Sequence, residues 1–320
     1  MTQRRALLAA LLAVPAIARA QTDYPARPVR LIVPFIPGSA PDINARQMAE
    51  QIGQRIGQAL VIENRAGAAG NLGFAYVAKQ AAPDGYTLLW GTGGLVINPP
   101  LYGGRVSYDT LTDFTPIALA FGMSCTVIVK ADSPIRTLAD LVAQLRRDPK
   151  TPYASGGFGT AAHLTAALFL AGTQTEAEHI PFRGAPDIIN AVRSGTVAFG
   201  FPQTQVALPL IQAGQLRAIG VTTTAPLAAL PGVPTVAETV PGYEFLSWMG
   251  LLGPAGLPAP ILAKIEKAAM ETLADPAFRA RISADGTSLI GLGAADFRRF
   301  LANDMARGRE MVRISGARIE

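Results

Sequence analysis

The chain has one cysteine, two histidines and no apolar run long enough to cross a bilayer. Each shortage removes a class of protein. Cys125 alone rules out an intrachain disulfide, so the fold must be held by its core, and a chain of this length can bury enough for that. In GMSCTVIV the residue reads as a small buried hydrophobe inside a strand. His163 and His179 stand without H-x-x-x-H or paired-cysteine spacing, so neither a metal nor a cofactor is expected. Basic residues form only pairs such as Arg146-Arg147 and Arg298-Arg299. A nucleic-acid footprint needs a basic stripe, so no such partner is expected.

What the chain does have begins with MTQRRALLAALLAVPAIARAQ. Arg4 and Arg5 precede an apolar run from Ala6 to Ala18, then Ala18-Arg19-Ala20. That order is a charged region, an apolar region and an A-x-A cleavage site. The run is shorter than the roughly 20 residues a spanning helix needs. Residues 1–20 are expected to be a cleaved signal peptide, with Gln21 as the mature terminus. Sec export is favoured over twin-arginine export, because Gln3-Arg4-Arg5-Ala6-Leu7 matches the latter weakly. Without this segment 25 basic residues face 23 acidic ones, a net +2 instead of +5, and the pI of 9.5 says little about partners.

The rest alternates short β-branched runs with helical periods. VRLIVPF (29–35), ALVIEN (59–64) and YTLLWG (86–91) read as strands; DINARQMAEQIGQRI (42–56) and LGFAYVAKQAA (72–82) read as helices. Strand-helix-strand-helix-strand implies a parallel sheet with covering helices. TPIALA (115–120) and SCTVIVK (124–130) follow as strands, and TLADLVAQLRRD (137–148) as a helix stopped by Pro149. The opening device then repeats: a strand, a glycine-rich loop and a helix in TPYASGGFGTAAHLTAALFLAGT (151–173). Two α/β lobes are expected, residues 21–124 with 236–320 and residues 125–235. The crossings are expected near 121–125 and 235–246. LPGVPTVAETVPGY (230–243) and GPAGLPAP (253–260) read as linkers, and 261–274 and 294–312 as the last helices.

In α/β sheets, ligands sit beyond the carboxyl ends of strands, where loops open helices. A helix N-terminus there offers unpaired N–H groups and partial positive charge, and binds anions without a cationic side chain. In PFIPGSAPD, Gly38 permits close approach, Ser39 gives a hydroxyl, Pro37 and Pro41 stiffen the path, and Asp42 is the expected N-cap. In YASGGFGTAAHL, Gly156, Gly157 and Gly159 give the freedom, Ser155 and Thr160 the hydroxyls, and Thr160 is the expected N-cap. Either loop alone is ordinary turn-and-cap chemistry; the repetition argues for an anion held from both sides. A carboxylate fits better than phosphate, since neither loop is a G-x-x-x-x-G-K-[ST]. GAAGNLG (67–73) is assigned to packing. GTGGLV (91–96) follows a strand, but Pro99 and Pro100 are read as forbidding a helix there, and Thr92 is left equally a cleft or a core residue. His163, in a first helical turn, is expected neutral and bonded to its loop. Phe35, Phe158 and Trp248 serve as cleft walls or, more safely, as core. No G-x-S-x-G elbow is present, and Ser39, His163 and Asp42 make a poor triad because Asp42 is needed at the helix start.

Several stretches in order carry a likeness. YPARPVRLIVPFIPGSAPD, VIENRAGAAGNLG, APDGYTLLWGT, YASGGFGTAAHL, LPGVPTVAETVPGYE and SWMGLLGPAGLP resemble the substrate-binding family of tripartite tricarboxylate transporters, the Bug receptors. The likeness runs from about Tyr24 to the C-terminus. It implies an α/β, two-lobed periplasmic-binding-protein fold of the type II-like, Venus flytrap kind, with the ligand cleft between the lobes. It implies a periplasmic, monomeric receptor, not an enzyme, that binds a small carboxylate, aromatic or dicarboxylic in the forms considered, and serves transporter membrane subunits. A sensing subunit for a signalling partner and, remotely, an exported serine hydrolase are the alternatives. The family clasp maps onto Gly38, Ser39 and Ala40 on one side and Ser155, Gly156, Gly159 and Thr160 on the other. Three departures stand out. Pro41 removes one N–H. Phe158 replaces the usual loop asparagine. Phe201-Pro202-Gln203 replaces Phe-Asp-Asn, which takes away an acid for a ligand amine. A ligand with an apolar or aromatic body and no ammonium group is therefore expected, with Pro202 and Gln203 beside it, while Arg183 is left equally a contact for a second carboxylate or a solvated surface residue.

Overall fold

The computed structural model describes residues 24–315 except 244, 246 and 285. The expected signal segment lies outside the described residues. The first sheet opens as the pattern implies. β1 (Val29–Val33) pairs in parallel with β2 (Leu60–Asn64) and β3 (Thr87–Thr92). Helices α1 (Ala40–Ile56) and α2 (Asn71–Gln80) make the crossovers. The rest of this sheet is antiparallel. β4 (Phe114–Met123) is buried along its whole length, and β10 (Ser247–Pro254) lies between β3 and β4, antiparallel to both. β11 (Thr287–Gly293) closes the edge, giving the order β11-β4-β10-β3-β1-β2. So the all-parallel sheet implied by the opening alternation is a mixed one.

The second sheet, ordered β7-β6-β8-β5-β9, holds β5 (Thr126–Lys130), β6 (Pro152–Ser155), β7 (Glu178–Pro181), β8 (Phe199–Gly200) and β9 (Leu216–Val221). Its helices are α4 (Leu138–Arg147), α5 (Ala161–Thr173), α6 (Ala185–Ser194) and α7 (Thr204–Gln212). A capping box between Thr137 and Asp140 starts α4. The C-terminal part returns to the first sheet with α8 (Ala259–Ala274), α9 (Pro276–Ala284) and α10 (Ala294–Ser315).

Two elements contradict the sequence reading for physical reasons. The sequence pattern assigns no element to residues 247–252 of β10, and its end, Gly253-Pro254, falls in a stretch read as a linker. Gly250 is there because a Cβ would stand 2.8 Å from both the Ala118 carbonyl oxygen and the Phe297 ring. The missing side chain lets α10 lie against the strand, and Phe297 is fully buried at that contact. Burying such a ring contributes about 2–3 kcal/mol. The second element is α3 (Gly94–Leu101), which contains the two prolines thought to forbid it. A helical proline frees the carbonyl four residues earlier. Pro99 frees that of Leu95, and the Thr110 hydroxyl donates to it. Pro100 frees that of Val96, and Gly308 of α10 passes so close that a Cβ would meet the Val96 oxygen at 2.7 Å.

The chain leaves the first sheet after Met123 and enters the second at Thr126. Cys125 lies on this crossing, fully buried, and burial pushes its thiol up to about 12. The return runs alongside. The Thr222 hydroxyl accepts from the Cys125 amide at 2.9 Å and donates to the Phe245 carbonyl at 2.9 Å. The Thr204 hydroxyl ties Ser124 and Thr126 in the same way, at 2.8 Å each. Residues before Phe245 stay with the second sheet. Thr235 bridges Val221, and the Tyr243 hydroxyl donates to the Thr165 carbonyl.

Candidate functional site

Between the lobes lies a cleft of about 980 Å³, counted to its open mouth. Five helices start on its wall: Ser39 and Pro41 begin α1, Gly93 and Gly94 begin α3, Thr160, Ala161 and Ala162 begin α5, Gly184 and Ala185 begin α6, and Gln203 begins α7. The lobes meet around it. Asn44 of α1 donates to Gln205 of α7 at 2.9 Å. A Cβ on Gly159 would stand 2.1 Å from Leu101, and one on Gly184 would stand 3.3 Å from Ile36.

The first loop spends most of its polar groups on its own shape. The Gly38 amide donates to Asp42 Oδ2 at 3.0 Å, while the Ser39 amide and hydroxyl both donate to the Ile36 carbonyl. The N-cap is Ser39, and Asp42 stands at the third helical position. This corrects the expected cap. Proline fits the first helical turn, so the helix begins before Pro41 instead of after it. Asp42 is buried, 2 % exposed, and also takes hydrogen bonds from Arg46 and Asn64. Burial works to raise its pKa, but Arg46, Asn64 and the Gly38 amide outweigh it and hold the carboxyl below the usual range.

The second loop is built on the same plan. Thr160 is the N-cap, yet its hydroxyl donates to the Gly157 carbonyl at 2.7 Å instead of capping. The Gly157 amide donates to Ser155 Oγ at 3.1 Å, and the Gly159 amide donates to His163 Nδ1 at 3.3 Å. Gly159 sits at φ +76°, a conformation that favours glycine. Behind the loop the two histidines of the chain meet, rings 4.7 Å apart. Burial, then for His163 the neighbouring His179, pushes both imidazoles down to about 4, so both are neutral. His179 Nε2 lies 2.6 Å from Ser155 Oγ. The pair is no nucleophile and base: Ser155 is fully buried, and among the described residues His179 Nδ1 has no partner, hence no orienting carboxylate.

Of the residues singled out in the sequence, Phe35, Ser39, Thr92, Gly156, Gly159, Thr160, Arg183 and Gln203 line the cleft. Trp248 does as well. Ala40, Asp42, Ser155, His163 and Pro202 are buried behind its wall. Pro37 and Gly38 are exposed on the rim of the first loop. Phe158 is exposed, makes T-shaped contacts with His163 and His179, and is not part of the cleft lining. The donors that remain for a ligand are first-turn amides, those of Ala161 and Ala162 above all, which have no carbonyl to serve within the helix.

The sequence reading missed the starts of α3 and α6, whose signals were a helix thought forbidden and a plain Gly-Ala-Pro. It also missed Asp304. This acid lies on α10, lines the cleft, and accepts from Trp248 Nε1 at 2.7 Å. Burial raises its pKa, while Trp248 and the charge of Arg307 pull it back only in part. The ground for excluding a ligand ammonium, the missing acid at 201–203, therefore falls.

Two α/β lobes joined by paired crossings, closed on a cleft ringed by helix starts, define the class of periplasmic binding proteins. Solved structures agree. Rpa4515 of R. palustris with adipate has a TM-score of 0.88 at 31% identity, covering 92% of this chain and 100% of that one. The periplasmic binding protein BugD has 0.87 at 29%, covering 93% and 100%. MatC of Rhodopseudomonas palustris with bound malate has 0.84 at 27%, covering 90% and 100%. Among sequences, a UPF0065 protein in the tcbD-tcbE intergenic region of Pseudomonas sp. strain P51 is 36% identical, over 79% of this chain and 76% of that protein. Protein BugT of Bordetella pertussis is 30% identical over 100% and 99%. The chain belongs to the tripartite tricarboxylate transporter family of receptors, whose profile matches residues 44–316. It is a solute receptor and not an enzyme.

Proposed function

We propose that this receptor works in the periplasm, binds a small carboxylate between its lobes and presents it to the membrane subunits of a tripartite tricarboxylate-type transporter. The observation that carries the reading is the meeting of the starts of α1 and α5 across the cleft, with Ser39 and Thr160 on its wall. Two dipoles converge there in an apolar enclosure, where an anion gains more than it would in water. No cationic side chain is required at that point, and Arg183, which is exposed at the rim, makes no ion pair among the described residues. The similar proteins solved with adipate and with malate support a carboxylate as the class. The lobes are taken as 21–124 with 245–320 and 125–243, the return falling at Phe245 instead of 236 because Val240 and Tyr243 still pack on α5, and they are hinged on the crossings tied by Thr204 and Thr222.

The test is thermal melting of the protein without residues 1–20, refolded to strip endogenous ligand. The panel is mono-, di- and tricarboxylates, with sugars as controls. Binding only to the folded state raises the midpoint by mass action. A rise confined to carboxylates is expected. A rise with sugars alone, or with nothing, contradicts the reading.

A further inference from the structure

The wall of the cleft formed by β10 and α10 is built differently. Trp248 is buried, with Phe297 and Phe300 against it edge-on at 5.5 and 6.0 Å. Its carbonyl accepts from the Gly93 amide at 3.2 Å, which fixes it to the start of α3. Its indole N–H is spent on Asp304. The carboxylate is therefore held from behind by a rigid ring, on a helix pinned to the sheet by Phe297.

An ionised carboxylate has about four lone-pair sites, and the indole satisfies one. On the same lining Ser247 and Arg307 carry side-chain donors, while Gly93, Val96, Ile97, Met249 and Met311 carry none. Arg307, one turn along α10, compensates its charge only in part. A rigidly held carboxyl group thus lines a cleft on whose wall helix starts attract anions.

We infer that Asp304 reads the far end of the ligand, accepting a hydrogen bond from a ligand hydroxyl or ammonium and turning away a second carboxylate. The inference rests on the carboxylate reading above and deepens it: the ligand class becomes a carboxylic acid with a hydrogen-bond donor at its distal end. A charge-assisted hydrogen bond is favourable here, whereas a second carboxylate places like charges together in a partly dry site.

The experiment is calorimetry with length-matched series. One set runs from succinate to suberate with the corresponding ω-hydroxy, ω-amino and unsubstituted acids. A second set is terephthalate, para-hydroxybenzoate, para-aminomethylbenzoate and benzoate. At the length that fits, a donor-bearing acid is expected to bind about tenfold or more tightly than the diacid and the unsubstituted acid. The hydroxy and amino arms distinguish the two donors. Asp304→Asn keeps an oxygen for Trp248 and turns an amide N–H into the cleft. Diacids are expected to gain on this variant and the amino acids to lose, so the ranking inverts. Its melting temperature and Trp248 fluorescence without ligand report whether it folds; the wild-type ranking stands as a test without it. A diacid that binds the wild type best, or a ranking that Asp304→Asn leaves unchanged, overturns the inference and leaves the carboxylate reading intact. Binding of none of these acids overturns both.

Discussion

Acid charges two imidazoles that the second lobe keeps neutral, and the consequence is calculable. His163 is 5 % exposed, and burial, then the neighbouring His179 with which it would have to share positive charge, pushes it down to about 4 from the usual 6.5. Between those two values the unfolded chain binds a proton that the folded chain refuses. Stability therefore falls as pH drops from 6.5 to about 4 and is flat above 6.5. At about 1.4 kcal/mol per unit, His163 alone accounts for roughly 3 kcal/mol. His179 is shifted to about 4 as well but is only half-buried, so it adds less. For a chain of this size, that loss lowers the melting midpoint by about 5 °C. Carboxylates do not mimic the effect in this window. Asp42, Asp109 and Asp113 are lowered, so what they contribute is lost only as pH falls below their usual 3.8. Asp304 is raised, so its protonation offsets a little of the loss. Protonation of His163 Nδ1 also removes the acceptor for the Gly159 amide, so ligand affinity should fall over the same range. The assay is melting against pH for the wild type and for His163→Asn, whose oxygen can still accept from that amide. The variant should lose most of the slope. An equal slope in both proteins, or a flat wild-type curve, refutes the reasoning.

Asp42→Asn should destabilise by about 1–2 kcal/mol, because the buried side chain keeps one acceptor oxygen where two now serve Gly38, Arg46 and Asn64. Urea titration reads this as a lower midpoint, and an unchanged midpoint would mean that the first loop does not depend on its acid. Thr110→Val should cost about 1–3 kcal/mol by leaving the Leu95 carbonyl without its donor beside Pro99. Thr110→Ser should restore most of that loss in the same titration; if it does not, packing and not the hydroxyl is what matters there.

The opening β-α-β-α-β was legible because apolar runs of β-branched residues alternate with amphipathic periods over 29–92. The two loops were legible because glycines, hydroxyls and prolines stand directly between a strand and a helix. β10 was not. A strand buried on both faces shows no alternation, and Gly250 answers to Phe297, forty-seven residues away in sequence. α3 was misread because the carbonyls freed by its prolines find Thr110 and Gly308 only in the fold. Asp304 was invisible for the same reason. On α10 it resembles any solvated acid, and it becomes part of the cleft only because Trp248 of β10 lies beneath it. Local chemistry reads from local sequence; the far half of the site is made by contacts between distant segments.

The most direct test of the central claim is calorimetry of the refolded receptor with the best-binding acid of the panel and with its primary amide. The two share shape and apolar surface and differ in charge. If converging helix starts hold the ligand as an anion, the acid should bind about a hundredfold or more tightly than the amide, the equivalent of roughly 3 kcal/mol. Equal binding of acid and amide would contradict the account and return both loops to the role of ordinary helix starts.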